Sequence, residues 1–178
     1  YLRFPSDGVI SDITYEVTST VDSRTGAIAE FLAQASAALR PMGVSVSADI
    51  FGLVPSVGGG RDLGIGQRLE DIAAQVDYIS PMVYPTTFGK GNLGIDDPVN
   101  QPYEIVYKSC INARARTATK LRPWLQHYWG DAEYYVAQRQ AATDAGSYGW
   151  MFWNAGGRYN EEGLFAPDPA PDGSGDNS

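Results

Sequence analysis

The segment 78–84 reads YISPMVY, a short apolar run that ends in an aromatic hydroxyl. Three further segments share this design, an apolar stretch closed by polar or aromatic side chains: VSVSAD at 44–49, LRPWLQ at 121–126 and GWMFWN at 149–154. Each segment has the length of a strand and is shorter than a typical helix. The four segments therefore predict four strands of one sheet.

Helical spacing occupies the chain between these strands. Apolar side chains recur at intervals of three and four residues at Ile28, Phe31, Leu32, Ala35 and Leu39. Similar spacing predicts helices over about 67–76, 103–116 and 131–145. Strands that alternate with helices predict an α/β fold with a parallel sheet, either an open doubly wound sheet or a (β/α)8 barrel.

The ends of the predicted strands carry the candidate functional residues. Carboxyl ends of parallel strands gather on one face, where α/β proteins place their chemistry. The side chains expected there are Asp49, Tyr84, Trp124, Gln126, Trp153 and Asn154. A carboxylate among indole rings and amides is typical of a carbohydrate site, because sugar rings stack on flat aromatic faces.

Composition excludes several other classes of function. The net charge of -8 argues against a nucleic-acid partner, since phosphate binding needs clusters of Lys and Arg. Cys110 is the single cysteine and His127 the single histidine, so an internal disulfide and a multi-His metal site are excluded. We expect no metal and no cofactor. No apolar run approaches the roughly 20 residues of a transmembrane helix.

Five motifs occur in a fixed order along the chain: YLRFPSDG at 1–8, SADIFG at 47–52, DYISPMVYP at 77–85, RPWLQ at 122–126 and GWMFWNA at 149–155. Together they resemble a bacterial family of glycoside-hydrolase-like proteins, labelled a domain of unknown function, that is expected to form a (β/α)8 barrel. The resemblance implies an extracellular or cell-envelope protein. It also implies that 1–166 is the C-terminal half of a TIM-type barrel, about strands 4 to 8. Residues 167–178 are expected to be a linker or disordered tail.

The chain opens at Tyr1 without an initiator Met, inside a predicted strand, so we interpret it as a fragment. The resemblance implies an Asp immediately before the Tyr-x-Arg-Phe-Pro motif, one residue upstream of Tyr1. Glycosidic cleavage usually needs two carboxyl groups, and one of them is then absent. The missing N-terminal half of the barrel is the expected partner, the fragment alone is expected to be inactive, and its open sheet edges predict self-association.

Asp49 is the candidate catalytic residue that remains. At the end of its strand it would point into the cleft and serve as acid or base. The alternative is an Asp that caps the next loop. Arg3 is a candidate binding residue beside the missing Asp, whereas Asp7 belongs to an ordinary turn. Asp77 precedes its strand and is expected at the opposite, structural end of the sheet.

The remaining candidates would hold the sugar. Trp124 and Trp153 offer stacking faces, while Tyr84, Gln126 and Asn154 offer hydrogen bonds; packing into the wall or loop is the alternative for each. Trp150 is expected to pack into the core, and His127 is expected to pack in a loop beside Tyr128 and Trp129. The sequence thus predicts a glycoside hydrolase acting on a polysaccharide, with two rivals: a non-catalytic carbohydrate-binding domain and a remnant that binds no ligand.

Overall fold

The computed structural model describes residues 21–159, 161, 163 and 164. The predicted opening strand, Arg3, Asp7 and the tail from 167 lie outside this range. The described part is an α/β structure built on a parallel sheet of five strands. This confirms the predicted fold class at the level of an α/β protein with a parallel sheet.

The strands are β1 (Ser47–Phe51), β2 (Tyr78–Val83), β3 (Lys120–Leu121), β4 (Trp124–Gln126) and β5 (Met151–Trp153). Their order is β1-β2-β4-β5, and β3 also pairs with β2. Every pairing is parallel, so all carboxyl ends lie at one end of the sheet. Within the described residues, β1 and β5 are the two edges.

Asp49 does not end its strand. The sequence predicted a strand over 44–49, but β1 begins at Ser47 and continues to Phe51, which places Asp49 at its centre. Just before β1, the carboxylate of Asp77 accepts a hydrogen bond from the Val46 backbone N–H at 2.8 Å. The backbone at Val46 is thereby bonded to the start of the neighbouring strand, and regular pairing begins one residue later.

The predicted strand at 121–126 is interrupted at Pro123. β3 and β4 pair with β2 in the same register, Ile79 opposite Leu121 and Met82 opposite Trp124. Continuing that register places Pro81 opposite Pro123. Neither proline has an N–H to donate, so the hydrogen-bond ladder breaks there while the chain direction is kept.

The described part of the chain has four α-helices: α1 (Val21–Leu39), α2 (Leu69–Ala73), α3 (Pro102–Arg114) and α4 (Ala132–Asp144). α1 precedes β1, and the other three connect successive strands. Proline at the first position begins α3, where its missing N–H costs nothing. The Asp131 side chain caps α4 by accepting from the Tyr134 N–H at 3.0 Å. α2 is shorter than the predicted helix over 67–76, and short 3-10 turns follow β1 and β2.

The two faces of the sheet differ because side chains alternate along each strand. One face packs against the helices and forms the core with Ile50, Ile79, Val83, Leu121 and Leu125, joined by Leu69, Ile105 and Val106 from the helices. The opposite face carries Ser47, Asp49, Phe51, Ser80, Met82, Trp124, Gln126 and Trp153. This polar and aromatic face is the face that can serve a ligand.

Candidate functional site

Asp49, Trp124 and Trp153 lie together on the open face of the sheet. The Trp124 Nε1–H donates a hydrogen bond of 2.9 Å to Oδ1 of Asp49. The Trp124 ring in turn meets the Trp153 ring edge-on, with centroids 6.1 Å apart and an interplanar angle of 80°. The three side chains come from β1, β4 and β5, so the parallel sheet itself assembles them.

Asp49 is exposed to solvent rather than buried. It lies at the edge of the described sheet. Two residues further along β1, the Phe51 N–H donates to the side-chain oxygen of Gln67 at 2.7 Å. A shallow groove runs beside this edge, lined by Ala27, Ile28, Phe31, Leu32, Ala48, Asp49, Gln67 and Ile72. The carboxylate is therefore accessible to a ligand, with an apolar wall next to it.

Tyr84 follows β2 directly and contacts Tyr128, which follows β4. The two rings pack edge-on with centroids 5.9 Å apart. Burial raises the pKa of the Tyr84 hydroxyl well above its usual value of 10, and the charges of Tyr128 and Asp49 act in the same direction. Tyr84 therefore keeps its proton at neutral pH and remains a hydrogen-bond donor beside the carboxylate.

Gln126 is fully buried, and its side chain binds the loop after β2. Its Oε1 accepts from the Thr86 backbone N–H at 3.1 Å and from the Thr86 hydroxyl at 2.7 Å. Because the backbone N–H can only donate, the amide oxygen must face Thr86. Nε2 is buried and has no partner among the described residues. Gln126 thus fixes the loop that follows Tyr84 and keeps an NH2 group whose two donor hydrogens have no partner among the described residues.

Asn154 organises the loop after β5. Its Nδ2 donates to the carbonyl oxygens of His127 at 2.7 Å and Arg158 at 2.6 Å, and its Oδ1 accepts from the Gly156 N–H at 2.9 Å. The Asn154 backbone N–H donates to the Tyr159 hydroxyl at 3.1 Å. Both side-chain donor hydrogens of Asn154 are used on main-chain groups, which anchors the loop that brings Tyr159 to the site.

His127 packs into an aromatic cluster. Its ring stacks on Tyr135 at 4.1 Å and also meets Phe152 and Tyr159. The imidazole is 2% exposed, and neither ring nitrogen has a partner in the described part of the chain. His127 is thus a packing residue, though its neighbours lie on α4, on β5 and in the loop after β5, and are not the adjacent residues Tyr128 and Trp129 that the sequence suggested.

The opposite end of the sheet is structural. Asp77 forms an ion pair with Arg40 at 3.0 Å in addition to its bond with Val46. The backbone N–H of Val46 and the Arg40 side chain hold the pKa of Asp77 below its usual value. Asp77 directly precedes β2 and Tyr84 directly follows it, so the two side chains lie at opposite ends of this strand, as expected.

Sequence reasoning missed four contributors to the site: Thr86, Tyr128, Gln138 and Tyr159. Tyr128 carried a usable signal, since it follows the predicted strand end at Gln126 by two residues. Thr86 and Tyr159 lie on loops whose course no local pattern specifies. Gln138 lies on α4, and its bonds to the β4 backbone depend on how that helix packs.

The described residues show neither a metal cluster nor a membrane helix. No group of three His, Cys, Asp or Glu side chains there is close enough to hold a metal ion. None of the helices from α1 to α4 has the length and apolarity needed to cross a bilayer.

Fold and site together define an α/β protein whose parallel sheet presents a carboxylate and two indoles on its open face, with a tyrosine directly after β2. Residues 1–159 match a family model described as "Putative glycosyl hydrolase domain". The chain belongs to this family, which confirms the resemblance seen in its motifs. It matches no curated protein and no solved structure.

Proposed function

We propose that this chain contributes the catalytic face of a glycoside hydrolase that cleaves a polysaccharide, with Asp49 as the acid/base residue. The observation that carries the proposal is the hydrogen bond of 2.9 Å between Trp124 and Asp49, with Trp153 against the same indole. It joins a solvent-accessible carboxylate to aromatic surface, the two features that hydrolysis of a bound sugar requires. Membership of a glycosyl-hydrolase-like family supports it.

The proposed binding residues are Arg3, Tyr84, Trp124, Gln126, Trp153 and Asn154. Trp153 is 43% exposed and offers a free ring face for stacking. Tyr84 is the donor for a sugar hydroxyl, because its proton is retained. The side-chain bonds of Gln126 and Asn154 support a role in holding the two loops in shape against the sugar.

The second carboxylate and the rest of the fold belong to the same proposal. In the C-terminal half of a (β/α)8 barrel, strands 4 to 8, the motif at 1–8 would be strand 4. The described parallel strands would be strands 5 to 8, with β3 and β4 as the two parts of strand 7. The partner carboxyl group would then be an Asp directly upstream of Tyr1, beside Arg3. Without the N-terminal half, the chain is expected to be inactive and to associate through the open edges of its sheet.

The proposal is tested by comparing chain 1–178 with the same chain extended upstream through its natural sequence. Both proteins are incubated with a panel of bacterial polysaccharides, and released reducing ends are measured. We expect release by the extended protein only, and its loss in Asp49→Asn. The matched control is Asp96→Asn, since Asp96 is an exposed carboxylate on the loop after β2. Equal activity of the two Asp variants would refute the catalytic assignment.

A binding domain without turnover is the second candidate. The exposed Trp153 ring favours it, because stacking on an indole needs no carboxylate chemistry. In that case the extended protein binds an oligosaccharide in calorimetry and releases no reducing ends. Asp49→Asn would then leave the affinity unchanged, whereas Trp153→Ala would weaken it. If Trp153→Ala changes no glycan's affinity, the chain is a remnant without a ligand.

A further inference from the structure

Trp124 uses its polar edge inside the protein. Its Nε1–H, the only donor of the indole, is engaged with Oδ1 of Asp49 at 2.9 Å. No hydrogen bond to the other oxygen, Oδ2, is present among the described residues. The two carboxylate oxygens of Asp49 are therefore unequal, and Oδ2 is the oxygen available to a ligand.

The two indoles of the site also differ in what they can offer a sugar. Trp124 is half-buried, with the Trp153 ring packed edge-on against it at 6.1 Å. Trp153 ends β5 and is more exposed than Trp124. One indole is thus fixed between the carboxylate and its neighbour, while the other presents its surface to solvent.

We propose that Trp124 is a positioning residue for Asp49 and that Trp153 is the residue that stacks on the sugar. This assignment rests on the proposed function and divides the labour between the two indoles. An indole N–H can donate but never accept, so it holds Oδ1 as an acceptor whether Asp49 is ionised or protonated. Proton transfer is thereby confined to Oδ2.

Confinement to Oδ2 gives a definite proton path in either step of hydrolysis. As the acid, Asp49 passes the Oδ2 proton to the glycosidic oxygen while the C–O bond to that oxygen breaks, and the carboxylate remains. As the base, Oδ2 takes a proton from the water whose oxygen bonds to the anomeric carbon. The charge of Asp49 acts on the Tyr84 hydroxyl by raising its pKa, so that this hydroxyl stays protonated at neutral pH.

The first test is the split between kcat and KM in the upstream-extended protein. Trp124→Phe keeps a ring and removes the N–H, so we expect kcat to fall about tenfold or more and KM to change by less than about twofold. Trp153→Ala should raise KM about tenfold with a smaller effect on kcat. Trp129→Phe is the matched control, because Trp129 is 56% exposed and should leave both constants unchanged. A rise in KM without a fall in kcat for Trp124→Phe would overturn the assignment.

The second test needs no activity. In the nuclear magnetic resonance spectrum, exchange of the Trp124 Nε1–H with water should be slow in the wild type. It should also be slow in Asp49→Asn, which keeps the Oδ1 acceptor, and faster in Asp49→Ala. Unchanged exchange in Asp49→Ala would show that the bond does not form. If this pattern appears but the upstream-extended protein hydrolyses no glycan, the proposed function fails and the Trp124–Asp49 contact stands.

Discussion

Gln138 on α4 closes a two-bond ring with the backbone of Gln126 on β4. Its Oε1 accepts from the Gln126 N–H, and its Nε2 donates to the Gln126 carbonyl oxygen, both at 2.9 Å. Both glutamines are fully buried. The Gln138 side chain thus takes the place of a neighbouring strand in hydrogen bonding to the Gln126 backbone. Gln126 is also the residue whose side chain holds the Thr86 loop.

Replacing Gln138 by leucine should lower the free energy of unfolding by about 3 kcal/mol, since two buried backbone groups would lose their partners. Urea denaturation of the purified chain measures the change. Gln140→Leu is the matched control on the same helix, because Gln140 bonds only to the exposed Asp144. Equal losses for the two variants would show that the Gln126 backbone does not depend on α4.

Removing the charge of Glu70 should reduce the acid sensitivity of the fold. Arg116 binds both carboxylate oxygens of Glu70 at 2.9 Å, and this hydrogen bonding holds the pKa of Glu70 below its ordinary value of 4.5. A lowered pKa in the folded state stabilises the fold above pH 4.5, and that contribution is lost as the pH falls through the folded value.

We therefore expect Glu70→Gln to be less stable than the wild type at pH 7 and to lose less stability on acidification from pH 5 to pH 3. Thermal unfolding across that range measures both effects. Glu30→Gln, on the exposed side of α1, is the control. A parallel stability curve for Glu70→Gln and the wild type would contradict the assigned ion pair.

Cys110 should be unreactive in the folded protein. It is completely buried in α3, and burial raises the pKa of its thiol to about 12 from a usual value of 9. At pH 8 this lowers the reactive thiolate fraction about a thousandfold. Iodoacetamide should label the chain only after denaturation, and mass spectrometry before and after urea checks this. Rapid native labelling would mean that α3 opens readily.

Gly52 holds the end of β1 close to β2. A Cβ at this position would collide with the Met82 carbonyl oxygen, which is backbone and cannot move aside. Gly52→Ala should therefore cost about 1 to 3 kcal/mol of unfolding free energy. Gly26→Ala is the opposite control, because a Cβ there meets nothing within 4 Å and α1 should gain about 0.5 kcal/mol. Chemical denaturation of both variants distinguishes these signs.

The parallel α/β architecture and the polar face of the sheet could be predicted from local patterns. The apolar segments identify the strands, and alternation with period two places Asp49 and Ile50 on opposite faces of the sheet. The central position of Asp49 in β1 could not be predicted, because the limits of that strand follow from its pairing with β2, in which Asp49 lies opposite Ser80. The same holds for the break at Pro123, which arises from Pro81 opposite it.

The detailed contacts of the site depend on tertiary packing. The Trp124–Asp49 bond joins residues 75 positions apart, and Gln126 meets Thr86 40 positions away. The sequence indicated that Asp49, Trp124 and Trp153 would lie close together, although Asp49 lies within β1 and not at its end. It gave no information on which polar atoms would be used internally and which would remain for a ligand, as the bonds of Gln126 and Asn154 illustrate.

Trp150, which directly precedes β5, and Trp153, which ends it, should differ in what their replacement by alanine affects: stability for Trp150 and glycan affinity for Trp153. Trp150 is packed against the core with Phe152, its ring 5.0 Å from the Arg139 guanidinium, so Trp150→Ala should lower the unfolding free energy by about 3 kcal/mol. Trp153 is exposed, and Trp153→Ala should cost less than about 1 kcal/mol while reducing glycan affinity about tenfold. Unfolding curves and calorimetric titration with an oligosaccharide separate the two effects. If Trp153→Ala lowers the unfolding free energy as much as Trp150→Ala does, the Trp153 ring stabilises the fold. Its exposure is then no argument for stacking on a sugar.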